Sequence, residues 1–355
     1  MTETTMAREI AEQPAAISRT LDALLPLRST VAALAARRRH VLFVARGSSD
    51  NAAIYGRYLI EVFARRPAGL AAPSVATHYG ATLDLSDAVV VCVSQSGETQ
   101  EIVETLDWAK RCGARTIAVT NGDKSALAVA ADVALVTQAG REYAVPATKS
   151  YTTQLAAMAV LAGALAGDET ALDADLDRVP AEVERLVDSR AGVDEAVERL
   201  AESAETLVSG RGIVFGTALE TALKLEETCL RPVRGLSYAD LRHGPIAVVD
   251  ADHAAVLVSA ADGPMVEGMT DLADDLRARG VAATIGIGGD ARFAGACDVA
   301  VTGPELPELV APLALVTPAQ LVVEALARRL GLDPDAPRGL SKITQTDPVD
   351  AEGDR

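Results

Sequence analysis

Six consecutive apolar residues, Ala88-Val89-Val90-Val91-Cys92-Val93, run directly into Ser94-Gln95-Ser96-Gly97-Glu98-Thr99, and an amphipathic segment from Gln100 to about Lys110 follows at once. A β-branched run of that length reads as a parallel strand buried on both faces. The segment after it spaces Ile102, Val103, Leu106 and Trp108 at a near-helical period, which predicts a helix. The loop between them is rich in hydroxyls and contains a glycine. It stands where unpaired N–H groups and the positive end of a helix dipole face the same point. Such a loop either caps the helix with its own Ser and Thr side chains or holds a small phosphate on neutral donors. It has no lysine, so it is not the Gly-Lys-Ser/Thr loop of nucleotide-binding proteins.

Around this stretch the chain alternates. The expected order is a strand His40–Ala45, the turn Gly47-Ser48-Ser49, a helix Asn51–Phe63, a strand near Ser74–Thr77, and then the opening strand, loop and helix. Next come a strand Arg115–Val119, a short helix from Ser125, a strand Asp132–Val136 and a long helix from about Thr148 to Ala166. Strand and helix taking turns define an α/β fold with a parallel sheet covered on both faces. Ligands in such sheets bind at the carboxyl ends of strands, where both hydroxyl turns fall.

The alternation restarts after an acidic link, 167–180, that reads as a hinge ending at Pro180, followed by two charged helical stretches. The second round is a strand Thr206–Ser209, the turn Gly210-Arg211-Gly212, a helix about Thr217–Cys229, a strand Ala255–Ser259, a helix Val266–Arg279, a strand Val281–Gly286 and a helix from about Pro307 to Leu330. The chain thus reads as two copies of one α/β unit. The expected divisions are an N-terminal helical segment (1–36), a first domain (37–170), linker helices (171–202), a second domain (203–332) and a tail (333–355). Pro14 marks either a helix start or the meeting of two short pieces.

Composition excludes several functions. The net charge of −17 argues against a nucleic-acid surface, and obliges any phosphate site to work through local donors within a screening length of about 8–10 Å. No apolar span of about 18 residues is present, and the opening MTETTMAREI lacks a signal-peptide core, so a cytoplasmic protein with no membrane partner is expected. The four cysteines, Cys92, Cys112, Cys229 and Cys297, are far apart and are expected to be reduced and packed. Four unclustered histidines point to no metal site, and no cofactor is expected.

In the second half, Glu220, Lys224 and Glu227 lie at i, i+4 and i+7 on one helix face. The ordinary expectation for that spacing is an exposed salt-bridged stripe. The same helix leads almost at once to His243-Gly244-Pro245, and a loop histidine titrating near neutral pH suits proton transfer to a ring oxygen. A carboxylate, a histidine and a lysine around a phosphate site are the groups needed to open a sugar ring and move protons between adjacent carbons.

Several motifs in one order carry a resemblance over nearly the whole chain. They are Glu9-Ile10-Ala11-Glu12-Gln13-Pro14, Arg46-Gly47-Ser48-Ser49, Ser94–Thr99, Ala139-Gly140-Arg141-Glu142, Val145-Pro146-Ala147-Thr148-Lys149 and Thr152-Thr153-Gln154-Leu155. In the second half they are Ala218-Leu219-Glu220-Thr221-Ala222-Leu223-Lys224-Leu225-Glu226-Glu227, His243-Gly244-Pro245, and Asp335-Ala336-Pro337-Arg338-Gly339-Leu340-Ser341-Lys342. The chain resembles the tandem sugar-isomerase (SIS) domain family, most closely the isomerase half of glucosamine-6-phosphate synthases and their deaminase relatives. The resemblance implies two tandem doubly wound, flavodoxin-like domains and a sugar 6-phosphate held by Ser94, Gln95, Ser96 and Thr99. It implies sugar contacts from Ser48, Ser49 and the Val145 backbone. Glu227 would be the base between C1 and C2, and His243, donated by the neighbouring subunit of a homodimer, would assist ring opening. Lys342 would form a Schiff base with the open-chain sugar or order the site.

Three departures qualify the reaction. The first cysteine is Cys92, inside a strand, so the terminal nucleophile of the synthase's glutaminase is not expected. Ala147 stands where the family usually has serine. The segment Leu230–Tyr238, with Arg231, Pro232 and Arg234, is expected to alter the wall beside the reacting carbons. The first reading is an enzyme deaminating and isomerising glucosamine 6-phosphate without glutaminase activity. A lyase or dehydratase eliminating the C3 substituent of N-acetylglucosamine 6-phosphate is a second reading, and a non-catalytic sugar-phosphate sensor a third.

Overall fold

Pro14 sits in the first turn of a helix, where its missing N–H breaks no bond, so the N-terminal segment is built of pieces: α1 (Thr5–Ala11), α2 (Gln13–Leu24) and α3 (Arg28–Leu34). The computed structural model describes residues 3–167, 170–342 and 345–346. Parts of the expected link (168–169) and tail (343–344, 347–355) lie outside the described residues.

The first half continues as β1 (His40–Val44), α4 (Ser48–Val62), β2 (Ala68–Leu70), α5 (Ser74–Thr77), β3 (Ala88–Val93), α6 (Gln100–Arg111), β4 (Arg115–Thr120), α7 (Ala126–Ala130), β5 (Val133–Val136) and α8 (Lys149–Ala166). Then come α9 (Asp173–Leu176), α10 (Val179–Asp188) and α11 (Val193–Glu202). The second half is β6 (Glu205–Gly210), α12 (Phe215–Cys229), β7 (Val233–Ser237), α13 (Tyr238–Arg242), β8 (His253–Ser259), α14 (Val266–Ala278), β9 (Ala283–Gly288), α15 (Ala291–Ala296), β10 (Val299–Val301) and α16 (Pro312–Arg329).

Two five-stranded sheets result, ordered β2-β1-β3-β4-β5 and β7-β6-β8-β9-β10. Their pairings are parallel, as in Val41↔Val89 and Val256↔Ile285. The order is the same in both halves, and it is the flavodoxin-like one. The apolar run of β3 has no solvent face. Val89, Val91 and Val93 join the large central core, while Ala88, Val90 and Cys92 pack with Ile102, Leu106 and Leu127 from α6 and α7. In the second sheet Val208, Val256 and Val258 face the central core, and Leu207, Ala255 and Leu257 face α14.

The central core holds α4, α8, α12 and α16, and it is built largely from Ala, Val and Leu. Small residues let these helices approach closely. A Cβ on Gly216 of α12 would meet the Asn51 carbonyl and Tyr55 amide of α4, so this crossing between the halves depends on glycine. All four cysteines are free and buried, and burial pushes the Cys92 thiol far up and the Cys229 and Cys297 thiols up to about 12. Among the described residues no helix is long and apolar enough to cross a membrane.

The structure corrects three expectations. Ser74–Thr77 is a helical turn, not a strand. Pro73, with φ −55° and ψ −31°, already stands in helical conformation ahead of it, and the strand is the preceding Ala68–Leu70, paired to β1 through Val41↔Ala68. The link read as a hinge is packed down over its described part: it forms a helical turn at Asp173–Leu176, with Leu172, Leu176 and Val179 buried in the central core and Asp173 paired to Arg28. Leu230–Tyr238 contributes the edge strand β7, and Arg231 donates to the Leu200 carbonyl.

Candidate active site

Between β1 and β3 the chain departs toward opposite edges of the first sheet, which is the switch point where open α/β sheets bind ligands. A cleft of about 420 Å³ opens there at the carboxyl ends of the strands. Arg46, Ser48 and Ser49 line it from the turn after β1, and Ser94, Gln95, Ser96 and Thr99 from the loop after β3. Glu142, Val145, Ala147, Ser150 and Gln154 come from the approach to α8 and its first turns, Lys224 and Glu227 from α12, and Lys342 and Thr346 from the tail. Nine of the ten residues singled out in the sequence share this one cavity.

The β3–α6 loop is shaped by hydrogen bonds to its own backbone. Ser94 Oγ accepts from the Gly97 N–H at 3.2 Å and Ser96 Oγ from the Glu98 N–H at 3.2 Å. Gly97 has φ +66°, and a Cβ there would run into Ser125 and Thr120, so only glycine suits the turn. Thr99 holds the cap position of α6 without a side-chain cap hydrogen bond. The Gln100 N–H instead donates to Gln345 Oε1 of the tail at 3.1 Å. Of the two roles open to this loop, capping through Thr99 is not made. Beside it, Gln154 donates to Ser49 Oγ at 3.0 Å, and Arg46 donates to Glu101 at 2.9 Å.

The stripe on α12 is not exposed. Glu220 is 0% exposed and Lys224 2%, because α12 is packed against both α4 and α16. Asn51 of α4 donates to Glu220 Oε2 at 2.9 Å. Burial pushes the Glu220 carboxyl up to about 7, although Lys224 and Asn51 pull the other way. Burial also opposes the charge on Lys224, yet Glu220 and Glu227 together hold its ammonium above the usual lysine range. Lys224 donates to Glu227, so the one acid of the stripe that reaches the cleft is fixed by a buried cation behind it. The flanking small residues Gly216, Thr217, Ala218, Thr221 and Ala222 were the available sign of a helix packed closely on two sides.

Sequence reasoning also passed over Glu142 as a site residue. Its side chain is fully buried and accepts from Lys342 Nζ at 2.6 Å, Ser150 Oγ at 2.6 Å, and the N–H groups of Thr148 and Ser150 at 2.9 and 3.0 Å. Burial raises its carboxyl, but the Lys342 ammonium and these donors outweigh it and hold it below the ordinary value. Lys342 also donates to the Ala144 carbonyl at 2.7 Å. Val145 donates its N–H to the Asp335 carbonyl at 2.9 Å, and Thr346 donates to Glu101 at 2.8 Å, so the tail is tied to the cleft wall at several points.

His243 is the predicted residue that this cleft does not include. It caps the end of α13 on the exposed surface. Arg231 and Arg234 do not line the cleft either, which corrects the expectation that they form the wall beside the reacting carbons. Arg234, on β7, borders a separate apolar pocket.

A hydroxyl-lined cleft at the switch point of one of two like-ordered parallel sheets, with carboxylate–lysine pairs among the residues around it, defines an α/β protein with a polar cleft at its strand ends. Residues 34–164 match the SIS domain, and the chain belongs to the SIS domain family. It is 34% identical to the glutamine–fructose-6-phosphate aminotransferase of Pyrococcus horikoshii over 95% of its own length, and it spans 57% of the length of that relative. The crystal structure of a protein from Silicibacter pomeroyi, provisionally described as a phosphosugar isomerase, matches with a TM-score of 0.85 and 32% identity over 94% of this chain and 100% of that one. Glucosamine-6-phosphate deaminase from Thermotoga maritima matches with a TM-score of 0.77 and 25% identity over 96% and 99% of the two chains.

Proposed function

We propose that this protein is a sugar-phosphate isomerase of the deaminating kind, acting on glucosamine 6-phosphate. The observation that carries the reading is the shared cleft: the hydroxyl loop Ser94–Thr99, the Glu227 carboxylate and the Lys342 amine border one cavity. A loop of neutral donors at the head of α6 suits a phosphate dianion, with Arg46 as the cation at its edge. Ser48, Ser49 and Val145 line the space left for the sugar.

In this reading each half is a doubly wound SIS domain, and two chains pair so that His243 of one reaches the cleft of the other. His243 moves a proton at the ring oxygen, which opens the sugar. Glu227 takes the proton from C2 and returns it to C1 while one N–H proton of the 2-amino group passes to the C1 oxygen, so the 2-amino aldehyde becomes the 2-imine of the ketose. The Lys342 nitrogen bonds to C2 as ammonia leaves, and water then releases fructose 6-phosphate and the free lysine. Lys224 fixes the Glu227 carboxylate through this sequence, and the likeness to the Thermotoga deaminase favours ammonia as the product.

The test is turnover by the purified protein with glucosamine 6-phosphate and with its N-acetyl form, followed by ammonia release and carbon NMR. Ammonia and fructose 6-phosphate from the first are expected. An unsaturated product from the second would replace the reading with elimination. Binding of either sugar without turnover would leave a sensor.

A further inference from the structure

We infer that Glu142 is the positioning residue for Lys342: its carboxylate is the fixed point on which the tail's amine is held, first as an ammonium and then as a protonated imine. The inference rests on the proposed imine role of Lys342, but its geometric half stands apart from any reaction.

Glu142 belongs to the first half and Lys342 to the tail, 200 positions later. The carboxylate is built without help from the tail. Oε1 takes the N–H groups of Thr148 and Ser150 at 2.9 and 3.0 Å, at the head of the 18-residue α8, and Oε2 takes Ser150 Oγ at 2.6 Å. Both oxygens are thus oriented by donors on a buried helix end, where negative charge is favoured. What remains open on Oε2 is one direction, and Lys342 Nζ fills it at 2.6 Å. With the Ala144 carbonyl at 2.7 Å, two of the three ammonium N–H bonds are engaged. A carboxylate so thoroughly supplied with donors is a poor proton carrier and a good counter-ion.

The chemistry fits that division. When Lys342 meets a C2 carbonyl, its nitrogen bonds to C2 and the carbonyl oxygen leaves as water with two of the ammonium's three protons. The third proton stays on a positively charged imine. One unit of positive charge stands opposite Glu142 before and after, so the same ion pair serves the free lysine and the covalent intermediate. Without Glu142 the amine would lose both its place in the cleft and the partner of its iminium form.

Two measurements on the full chain test this. The first needs no sugar: tryptic cleavage after Arg338, which is exposed at the start of the Lys342 segment. Glu142→Gln should be cleaved at least fivefold faster than wild type at an unchanged melting temperature, and Glu142→Asp should restore part of the protection. Should Glu142→Gln fail to fold, Lys342→Met removes the other partner and should expose Arg338 equally. Unchanged cleavage in a folded variant of either kind overturns the inference. The second measurement traps the imine from fructose 6-phosphate with borohydride. Glu142→Gln should yield about tenfold less Lys342 adduct while binding sorbitol 6-phosphate, which has no carbonyl, as wild type does. Equal trapping contradicts the counter-ion role. If wild type traps no adduct, the imine reading of Lys342 fails, and the proteolysis result alone decides whether Glu142 holds the tail.

Discussion

The Asn51 amide donates to Glu220 Oε2 at 2.9 Å, joining the first-half helix α4 to the second-half helix α12 beneath the cleft. This bond and the Gly216 crossing beside it bring the half that carries the hydroxyl loop and the half that carries Glu227 to one cavity. Glu220 has no access to solvent, yet it stands behind Lys224, which in turn holds Glu227.

Because burial raises the Glu220 carboxyl to about 7, its effect on stability has a definite sign. Between the ordinary glutamate value near 4.3 and about 7, the folded state binds more protons than the unfolded state. The contribution is therefore fully present at low pH and is lost as pH rises through about 7. Glu220→Gln should remove that slope. Relative to wild type, its unfolding free energy should rise by roughly 1–3 kcal/mol between pH 5 and pH 8 in urea titrations. Parallel pH profiles for the two proteins would contradict the assignment.

Gly97 and Ser96 separate the shape of the loop from its donors. Gly97→Ala places a Cβ against Ser125 and Thr120 at a positive φ, and should cost about 1–3 kcal/mol of stability together with sugar-phosphate binding. Ser96→Ala removes one hydroxyl and the bond it accepts from the Glu98 N–H, with no backbone strain. By calorimetry it should weaken binding about fivefold to tenfold, in keeping with one neutral hydrogen bond, at an unchanged melting temperature.

Glu227→Gln keeps the shape of the side chain and removes the proposed base. Turnover should fall about 10²–10⁴-fold with little change in KM. Wash-in of solvent deuterium at C1 and C2 should fall with it. Exchange at the wild-type rate would assign the proton transfer elsewhere.

Sharing of sites between subunits has its own test. A Glu227→Gln chain and a His243→Ala chain, each inactive alone, should regain roughly a quarter of wild-type activity when unfolded and refolded together, since half the dimers are mixed and each has one intact site. No regain from a mixture shown to exchange subunits would place His243 outside the partner's cleft.

How much of this was legible in the sequence follows from the range of each interaction. The strand Ala88–Val93 and its hydroxyl loop are contiguous, so one short window shows a buried strand, a turn and a helix start together. The edge strands β2 and β7 gave no such signal: Ala68-Gly69-Leu70 has no β-branched residue, and Val233–Ser237 is broken by Arg234 and Gly235. Spacing revealed that Glu220, Lys224 and Glu227 share a helix face, but not that the face is buried, since α16 lies about a hundred residues away. The pairing of Glu142 with Lys342 spans 200 positions and leaves no local trace.

The central claim, that the hydroxyl loop holds the phosphate while Glu227 and Lys342 converge on the attached sugar, is tested most directly by a crystal structure of the protein with glucosamine 6-phosphate bound. The account predicts phosphate oxygens within hydrogen-bond distance of Ser94, Ser96 and Thr99, and C1 and C2 lying between the Glu227 carboxylate and the Lys342 amine. A sugar bound with its phosphate away from that loop, or with its reacting carbons out of reach of Glu227, would contradict it.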